Sequence, residues 1–256
     1  MNAPIERSLA WRDRAATSPE AWREAEPRRA VFLDKDGTLV QDVPYNVDPE
    51  RIVLVPGVGE SLRRLQDAGF LLFVVSNQPG VALGRFPASA LRVVEARVDE
   101  LVGLHGVVLT AYCWCPHPPA GVRNAIACTC RKPRPGLLID AAATHSVALE
   151  RSWMVGDILD DIEAGTRAGC RTVLIDNGHE TLWEPGPERV PTLREPDLLR
   201  AALAIIREHD AESAQAREQN KSAGDQRAGD HAMKRVPTAT NGETGPGARA
   251  MRGSRQ

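Results

Sequence analysis

The sequence predicts an α/β fold in which helices form a layer on each side of a parallel sheet. Along the middle of the chain, short apolar runs rich in Val, Leu and Phe alternate with longer helical stretches. Several of these runs end in Asp or Ser. Strands of parallel sheets are buried on both faces and read as continuous apolar runs, and ligands bind beyond their carboxyl ends.

The elements follow one another in a regular order. We predict strands at residues 30–34, 70–75, 107–112, 153–156 and 172–175. We predict helices at residues 57–68, 88–103, 136–147, 160–168 and 197–207. The connection between the first two strands is short and already holds a helix, so we expect no sizeable cap domain.

The first strand runs into the most informative segment, VFLDKDGT at residues 31–38. Side chains alternate along a strand, so we expect Asp34 and Asp36 on one side with Lys35 opposite, while Gly37 permits a sharp turn. Two carboxylates at the end of a buried strand cannot both be ionised without a cation. The segment therefore predicts a divalent cation with oxygen ligands; an Asp-Gly turn that simply ends a strand is the alternative.

Three later segments carry similar chemistry in a fixed order. FLLFVVSNQ contains Ser76, RKPRPG contains Lys132, and WMVGDILDD contains Asp157 with further acids behind it. Taken singly, Ser76 could be a helix cap and Lys132 a solvated lysine. The four segments together resemble the motifs of phosphatases of the haloacid dehalogenase (HAD) superfamily, over about residues 29–180.

This resemblance implies a three-layer α/β/α, Rossmann-like HAD fold without a cap, and hydrolysis of a phosphomonoester through an aspartyl-phosphate. Asp34 would be the nucleophile and Asp36 the general acid and base. Ser76 and Lys132 would hold the phosphoryl oxygens.

The same resemblance implies a Mg²⁺ site. Its ligands would be Asp34, the carbonyl of Asp36, and Asp157, a set that suits Mg²⁺ with a substrate phosphate. Asp161 or Asp160 would orient the metal waters or the catalytic lysine.

A cysteine-rich segment, CWCPHPPAGVRNAIACTC at residues 113–130, leads into the lysine motif. Its spacing suits a closed tetrahedral zinc site with four ligands, Cys115, His117, Cys128 and Cys130. Free thiols and disulfides are the alternatives, and disulfides are disfavoured because we find no signal-peptide pattern and cytosolic thiols stay reduced. Cys113 could replace His117 in an all-cysteine site, and Cys170 is expected to be a small buried filler.

The CPH and CxCRKP pattern resembles the zinc loop of one HAD branch, the D-glycero-D-manno-heptose 1,7-bisphosphate phosphatases and their histidinol-phosphatase relatives. Zinc at that place would be structural, since it fixes the backbone that leads to the catalytic lysine. The resemblance implies that five residues contact the substrate: Asp42, Tyr45, Asn77, Gln78 and Arg131.

One departure from this branch concerns the second phosphate of a bisphosphate. Related chains can carry a substrate-contacting Lys directly after the aspartate of the fourth motif, and here that position is Ile158. Arg131, Arg134 or Arg85 could supply the missing cation instead.

Both ends of the chain differ from its middle. Residues 1–28 are expected to form an extension, with either a short helix beginning at Ser18 or a loose segment, and residues 29–206 to form the phosphatase domain. After Ile206 the sequence has no Ile, Leu, Phe, Trp or Tyr, so residues 207–256 are expected to be a disordered tail, whose first part, EHDAESAQAREQ at residues 208–219, could extend a helix from residues 197–206.

Composition narrows the function. The chain of 256 residues is 42% hydrophobic and 26% charged, with a formal net charge of −2 at pH 7, which is ordinary for a soluble protein and unlike a nucleic-acid binder. No apolar run is long enough to span a membrane. We expect a cytoplasmic monomer with Mg²⁺ and Zn²⁺ as cofactors and a small sugar phosphate as ligand, and neither nucleic acid nor membrane as partner.

Heptose 1,7-bisphosphate is the substrate that the resemblance favours. Histidinol phosphate or another small phosphomonoester is the alternative within the same chemistry. A binding protein built on a decayed phosphatase is the alternative from another class, and the presence of all five motif residues argues against it.

Overall fold

The computed structural model describes residues 11–13, 27–119, 121–122 and 127–233. Within these residues one sheet contains seven strands: β1 Trp11–Asp13, β2 Ala30–Leu33, β3 Leu71–Asn77, β4 Ala111–Cys115, β5 Trp153–Gly156, β6 Arg171–Ile175 and β7 Leu193–Glu195. The α-helices are α1 Val58–Asp67, α2 Ala90–Gly103, α3 Gly136–His145, α4 Leu159–Ala168 and α5 Leu198–Met233. Short 3-10 helices lie in the connections, at Pro49–Arg51, Leu149–Arg151 and Pro187–Arg189.

The strand order brings the predicted motifs together at one edge of the sheet. The order is β1-β4-β3-β2-β5-β6-β7, in which β1 is antiparallel to β4 and the other pairs are parallel. Leu33 at the end of β2 pairs with Val74 of β3 and with Val155 of β5. The residues that follow these three positions therefore meet beyond the carboxyl ends of central strands.

Two layers of helices cover the sheet, as predicted. Val31 and Leu33 face the core formed with α1, α2 and the first turns of α5, whereas Ala30 and Phe32 face the core formed with α3. In α1, Leu62 and Leu65 reach this core at helical spacing while Arg64 pairs with Glu60 on the exposed side. The three-layer α/β/α prediction is confirmed, and the connection from β2 to β3 forms α1 rather than a cap.

The fourth strand lies later than predicted. The prediction placed it at residues 107–112, whereas β4 spans Ala111–Cys115 and contains two of the cysteines. The aromatic pair Tyr112 and Trp114 favours a strand here, and their rings stack at 5.4 Å. Strands β1 and β7, which are three residues long, were not predicted because such short segments carry too little pattern.

The region after residue 206 is helical over the part that is described, whereas the sequence left a helix extension open only for residues 208–219. Helix α5 continues to Met233, and the intrinsic helix preference of the Ala, Glu, Gln and Arg that are frequent in residues 207–219 explains this without burial. Contacts divide the chain into the units Met1–His209 and Asp210–Gln256. Residues 234–256, and the helix predicted from Ser18, lie outside the described residues, so the domain limits remain predictions.

No helix in the described part of the chain combines the length and the apolar character that crossing a bilayer requires.

Candidate active site

Polar side chains from the predicted motifs meet at the carboxyl edge of the sheet. They line a cavity of about 210 Å³, whose walls are Asp34, Asp36, Asp42, Ser76, Asn77, Lys132, Asp157, Ile158 and His179. The cavity thus brings together candidate residues from all four motifs, together with a histidine that the sequence analysis did not single out.

Lys132 lies deep in this site and is 2% exposed. Its Nζ contacts Asp34 Oδ1, lies 2.7 Å from Asp161 Oδ1 and donates to the carbonyl of Val75 at 2.8 Å. Burial lowers the pKa of Lys132, but the attraction of Asp161 and Asp34 outweighs burial and raises this pKa above its ordinary value. The lysine is therefore held in its protonated form beside the candidate nucleophile Asp34.

Asp34 follows β2 directly and is buried. Its backbone N donates to the carbonyl of Val155 at 2.9 Å, which fixes its position against β5. Burial raises the pKa of Asp34 above the usual range of a carboxyl group, and the Lys132 ammonium opposes that effect. A further cation nearby would favour the ionised form that a nucleophile needs.

Of the two candidate acids, Asp161 is the one that contacts the lysine. Asp160, the other candidate, pairs instead with Arg189 Nη2 at 2.9 Å. Asp161 lies in the first turn of α4, where its Oδ2 accepts a hydrogen bond from the backbone N of Ile158 at 3.4 Å. A Cβ at Gly156 would come within 2.2 Å of Asp161 Oδ2, so only glycine fits beside this carboxylate.

Asp36 lines the same cavity as Asp34, as the spacing predicted. Its Oδ2 accepts from Gln78 Nε2 at 3.0 Å, and Gln78 Nε2 also donates to Ser76 Oγ at 3.0 Å. Lys35 does not point away as expected, because its ammonium contacts Asp36 Oδ1. Strand alternation fails here since β2 ends at Leu33 and the chain then turns.

Asn77, at the end of β3, forms hydrogen bonds with the backbone of Lys132. Its Nδ2 donates to the Lys132 carbonyl and its Oδ1 accepts from the Lys132 backbone N, both at 3.0 Å. Asn77 also lines the cavity, so its predicted substrate contact stays a prediction.

Asp157 follows β5 and is held by two partners. Its Oδ1 lies 3.4 Å from Thr38 Oγ1, and its Oδ2 lies 2.6 Å from His179 Nδ1. Burial raises the pKa of Asp157 to about 6, Asp34 adds to the rise, and His179 opposes it. His179, which follows β6, was not predicted as a site residue. Its position beyond the carboxyl end of a strand next to β5 could have identified it.

The acidic residues of this site fit a hard divalent cation. Asp34, Asp157 and Asp161 offer carboxylate oxygens that all lie within 4.8 Å of one another. Burial raises the pKa of each of these carboxyl groups, so a divalent cation would favour their ionised forms. Lys132 contacts both Asp34 and Asp161, and the cluster includes the two predicted Mg²⁺ ligands Asp34 and Asp157.

The predicted zinc ligands form a second cluster. Cys115 Sγ lies 3.5 Å from His117 Nδ1, 3.9 Å from Cys128 Sγ and 3.3 Å from Cys130 Sγ. Ligand atoms on a tetrahedral zinc ion are about 3.4–3.8 Å apart, given Zn–N and Zn–S bonds of about 2.0–2.3 Å. The hydrogen bond with Cys115 and burial raise the pKa of Cys130, so thiolates there need a cation at the centre. The donor set fits zinc.

The other two cysteines are not members of this cluster. Cys113 is buried in β4 and its sulfur is not among the four clustered ligand atoms; burial raises the pKa of this thiol to about 12. The alternative all-cysteine site is therefore not supported. Cys170 is buried in the core beside α4, as expected for a filler.

The residues predicted to contact the sugar or a second phosphate are spread around the site. Asp42 lines the cavity. Tyr45 is 47% exposed, with the Arg85 guanidinium 5.5 Å from its ring centre. Arg131 Nη1 donates to the carbonyl of His117 at 3.2 Å, so its side chain braces the cysteine-rich loop. Among the described residues, the cavity walls include no arginine.

Comparison with known proteins agrees with this geometry. The HAD-hydrolase-like family model matches residues 129–202. A D-glycero-D-manno-heptose-1,7-bisphosphate 7-phosphatase from Thermosynechococcus vestitus is 41% identical over 158 residues, which are 59% of this chain and 81% of that protein. A D-glycero-β-D-manno-heptose-1,7-bisphosphate 7-phosphatase from Pseudomonas aeruginosa is 34% identical over 182 residues, which are 70% of this chain and 98% of that protein.

A solved structure supports the same relationship. The D,D-heptose 1,7-bisphosphate phosphatase of B. bronchiseptica, in complex with magnesium and phosphate, aligns with a TM-score of 0.62 and 32% identity. The alignment covers 70% of this chain and 99% of that protein.

Proposed function

The chain belongs to the D-glycero-D-manno-heptose-1,7-bisphosphate 7-phosphatase family of HAD-like hydrolases, and on that basis we propose that it removes the 7-phosphate of this sugar bisphosphate. It is a phosphoric monoester hydrolase. The observation that carries the proposal is the buried contact of Asp34 with Lys132, in a cavity that also contains Asp36 and Ser76.

In the first step, an Asp34 carboxylate oxygen attacks the phosphorus atom. The bond from phosphorus to the sugar oxygen breaks, and Asp36 gives its proton to that leaving oxygen. Lys132 and the Ser76 hydroxyl hold the phosphoryl oxygens throughout, because charge neutralisation and positioning dominate phosphoryl transfer. The hydrogen bond from Gln78 to Asp36 supports this assignment, since it fixes the carboxyl group in the cavity.

In the second step, Asp36 accepts a proton from water. The oxygen of that water attacks the phosphorus of the aspartyl-phosphate, the bond to Asp34 breaks, and inorganic phosphate leaves. The contacts of Asp36 with Lys35 and Gln78 keep its carboxylate at the same place for both proton transfers.

Two metal ions complete the proposed enzyme. Asp34, the Asp36 carbonyl and Asp157 would hold Mg²⁺, which would neutralise the charge of the phosphoryl group. Cys115, His117, Cys128 and Cys130 would hold a structural Zn²⁺. Zinc would fix Cys130, two residues before Lys132, while Asn77 holds the Lys132 backbone from the other side.

We propose that Arg131 recognises the second phosphate of the bisphosphate. It lies between Cys130 and Lys132, so its backbone is held by both the metal loop and the catalytic site. Its guanidinium would turn from the His117 carbonyl to the phosphate, a partner with which a charged hydrogen bond is stronger. Asp42, Tyr45, Asn77 and Gln78 would contact the sugar.

One observation favours a second candidate substrate. Ile158 lies on the cavity wall where related chains can carry a lysine, which weakens the case for a bisphosphate. A small phosphomonoester such as histidinol phosphate needs no second cation. The non-enzyme alternative has no such support.

We propose that the protein is a monomer in the cytoplasm. None of the five cysteines, all within the described residues, forms a disulfide, which suits a reducing compartment.

A phosphate-release screen tests the proposal. Full-length protein with Mg²⁺ would be assayed on both anomers of heptose 1,7-bisphosphate, on sugar monophosphates and on histidinol phosphate, with Asp34→Asn as the matched inactive control. The expected result is the highest kcat/KM on a heptose 1,7-bisphosphate. A higher kcat/KM on histidinol phosphate than on either anomer would contradict the substrate while leaving the phosphatase chemistry intact.

A further inference from the structure

A short segment after β6, residues 177–180, joins three parts of the catalytic site. Asn177 Nδ2 donates to the carbonyl of Gly37 at 3.0 Å, and Asn177 Oδ1 accepts from the backbone N of His179 at 3.1 Å. Glu180 Oε2 accepts from the backbone N of Leu159, the first residue of α4, at 2.7 Å. The segment is thus tied both to the turn after the nucleophile and to the helix that carries Asp161.

These hydrogen bonds place His179 beside Asp157. The His179 ring is 43% exposed, so packing contributes little to holding it, whereas its Nδ1 lies 2.6 Å from Asp157 Oδ2. The other partner of Asp157, Thr38 Oγ1, lies at 3.4 Å, which is long for a hydrogen bond. The histidine is therefore the stronger of the two groups that orient this carboxylate.

The glycine of the nucleophile turn provides the room for this contact. Gly37 has a φ of +81°, and a Cβ there would come within 2.0 Å of Asp157 Oδ2 and 2.4 Å of His179 Nδ1. A side chain at residue 37 would therefore displace the carboxylate or the imidazole.

We propose that His179 is a positioning residue that orients Asp157 for Mg²⁺, with Asn177 as its anchor. The proposal rests on the Mg²⁺ site of the proposed function. Carboxylates that bind metals are commonly held by outer hydrogen-bond partners, and loss of such a partner lowers metal affinity by about 10–100-fold. One oxygen of Asp157 is engaged by His179, which leaves Oδ1 to the metal.

Metal binding measured without substrate tests this proposal. Mn²⁺, which shares the preference of Mg²⁺ for carboxylate ligands, would be titrated into full-length protein and the free ion counted by its electron paramagnetic resonance signal. His179→Ala should raise the Kd for Mn²⁺ about tenfold or more. His179→Asn, whose amide nitrogen can lie near the position of Nδ1, should keep the Kd for Mn²⁺ within about threefold of the wild type. Asn177→Ala leaves the histidine itself unchanged and should raise the Kd for Mn²⁺.

Controls separate this proposal from the metal site on which it rests. Leu182→Ala, an exposed change two residues beyond the segment, should leave the Kd unchanged. If Asp157→Asn binds Mn²⁺ as well as the wild type does, the metal site itself is wrong. If Asp157→Asn loses binding while His179→Ala keeps or tightens it, the metal site stands and the role of His179 is wrong.

Discussion

The side chain of Asn77 forms hydrogen bonds with both backbone polar groups of Lys132. Its Nδ2 donates to the Lys132 carbonyl and its Oδ1 accepts from the Lys132 N–H, each at 3.0 Å. The two residues are far apart in the sequence, and the pair joins the end of β3 to the end of the cysteine-rich loop. A side chain that satisfies both backbone groups leaves the lysine little freedom to shift along the chain. The ammonium is then placed between Asp34 and Asp161 by its backbone as well as by its charge.

Asn77→Ala should therefore slow catalysis more than it weakens binding. We expect kcat to fall about tenfold or more with KM changed less than about threefold, because a misplaced lysine stabilises the transition state less. Steady-state kinetics on the preferred substrate gives both constants. A large rise in KM with kcat unchanged would instead show that the proposed contact of Asn77 with the sugar outweighs its effect on the position of Lys132.

The cysteine-rich loop should carry one zinc ion per chain. Cys128→Ser should lower zinc content and the melting temperature together, since a structural metal contributes directly to folding. Elemental analysis and thermal unfolding provide the measurements. Cys170→Ala is the control, because this buried thiol is not one of the four clustered ligand atoms and its loss should leave zinc content unchanged. Wild-type protein purified without chelator and free of zinc would rule out the site.

Asp157 should make the stability of metal-free protein depend on pH. Burial raises its pKa from 3.8 to about 6, so the folded chain binds a proton more tightly than the unfolded chain between these values. Stability from this group is therefore lost as the pH rises through about 6. Asp157→Asn should raise the free energy of unfolding at pH 7.5 by about 1–3 kcal/mol, and the gain should disappear towards pH 4.

Thermal or denaturant unfolding at the two pH values measures this difference. Added Mg²⁺ should stabilise the wild type and leave Asp157→Asn unaffected, because binding to the folded state alone shifts the equilibrium. A variant less stable than the wild type at pH 7.5 without metal would show that ionised Asp157 is well paired. Asp42→Asn, at an exposed position, is the control and should change neither value.

Arg131 should distinguish a bisphosphate from a monophosphate. Arg131→Ala should raise KM about tenfold or more for a heptose 1,7-bisphosphate and much less for a monophosphate, since a charged hydrogen bond contributes about 1.5–3 kcal/mol. Loss of its bond to the His117 carbonyl would disturb the loop equally for both substrates, so the ratio of the two effects isolates recognition. Equal effects would assign Arg131 to the loop alone.

The sequence predicted which residues meet at the carboxyl edge of the sheet, because strand ends are local features. Asp34, Ser76 and Asp157 each follow or end an apolar run, and parallel strands bring such ends together regardless of distance along the chain. The cluster from Cys115 to Cys130 was equally visible, since metal ligands come in short spaced pairs.

Contacts made by loops could not be predicted in the same way. The hydrogen bonds from Asn77 to Lys132 and the contact of His179 with Asp157 depend on tertiary packing, and no spacing rule links these residues. Lys35 shows the limit of a local rule, because alternation holds only while the strand lasts and β2 ends two residues earlier. Helix α5 beyond residue 206 shows the opposite case, because helix propensity continues the helix past residues 208–219, for which an extension was considered, without apolar residues to bury.

Regiospecific hydrolysis tests the central claim most directly. Full-length protein with Mg²⁺ would be incubated with D-glycero-D-manno-heptose 1,7-bisphosphate, and the reaction would be followed by ³¹P nuclear magnetic resonance beside Asp34→Asn. We predict that the 7-phosphate signal disappears as inorganic phosphate forms, that the 1-phosphate remains, and that Asp34→Asn retains less than a few per cent of this turnover. Release of the 1-phosphate, an unchanged bisphosphate, or normal turnover by Asp34→Asn would contradict the account.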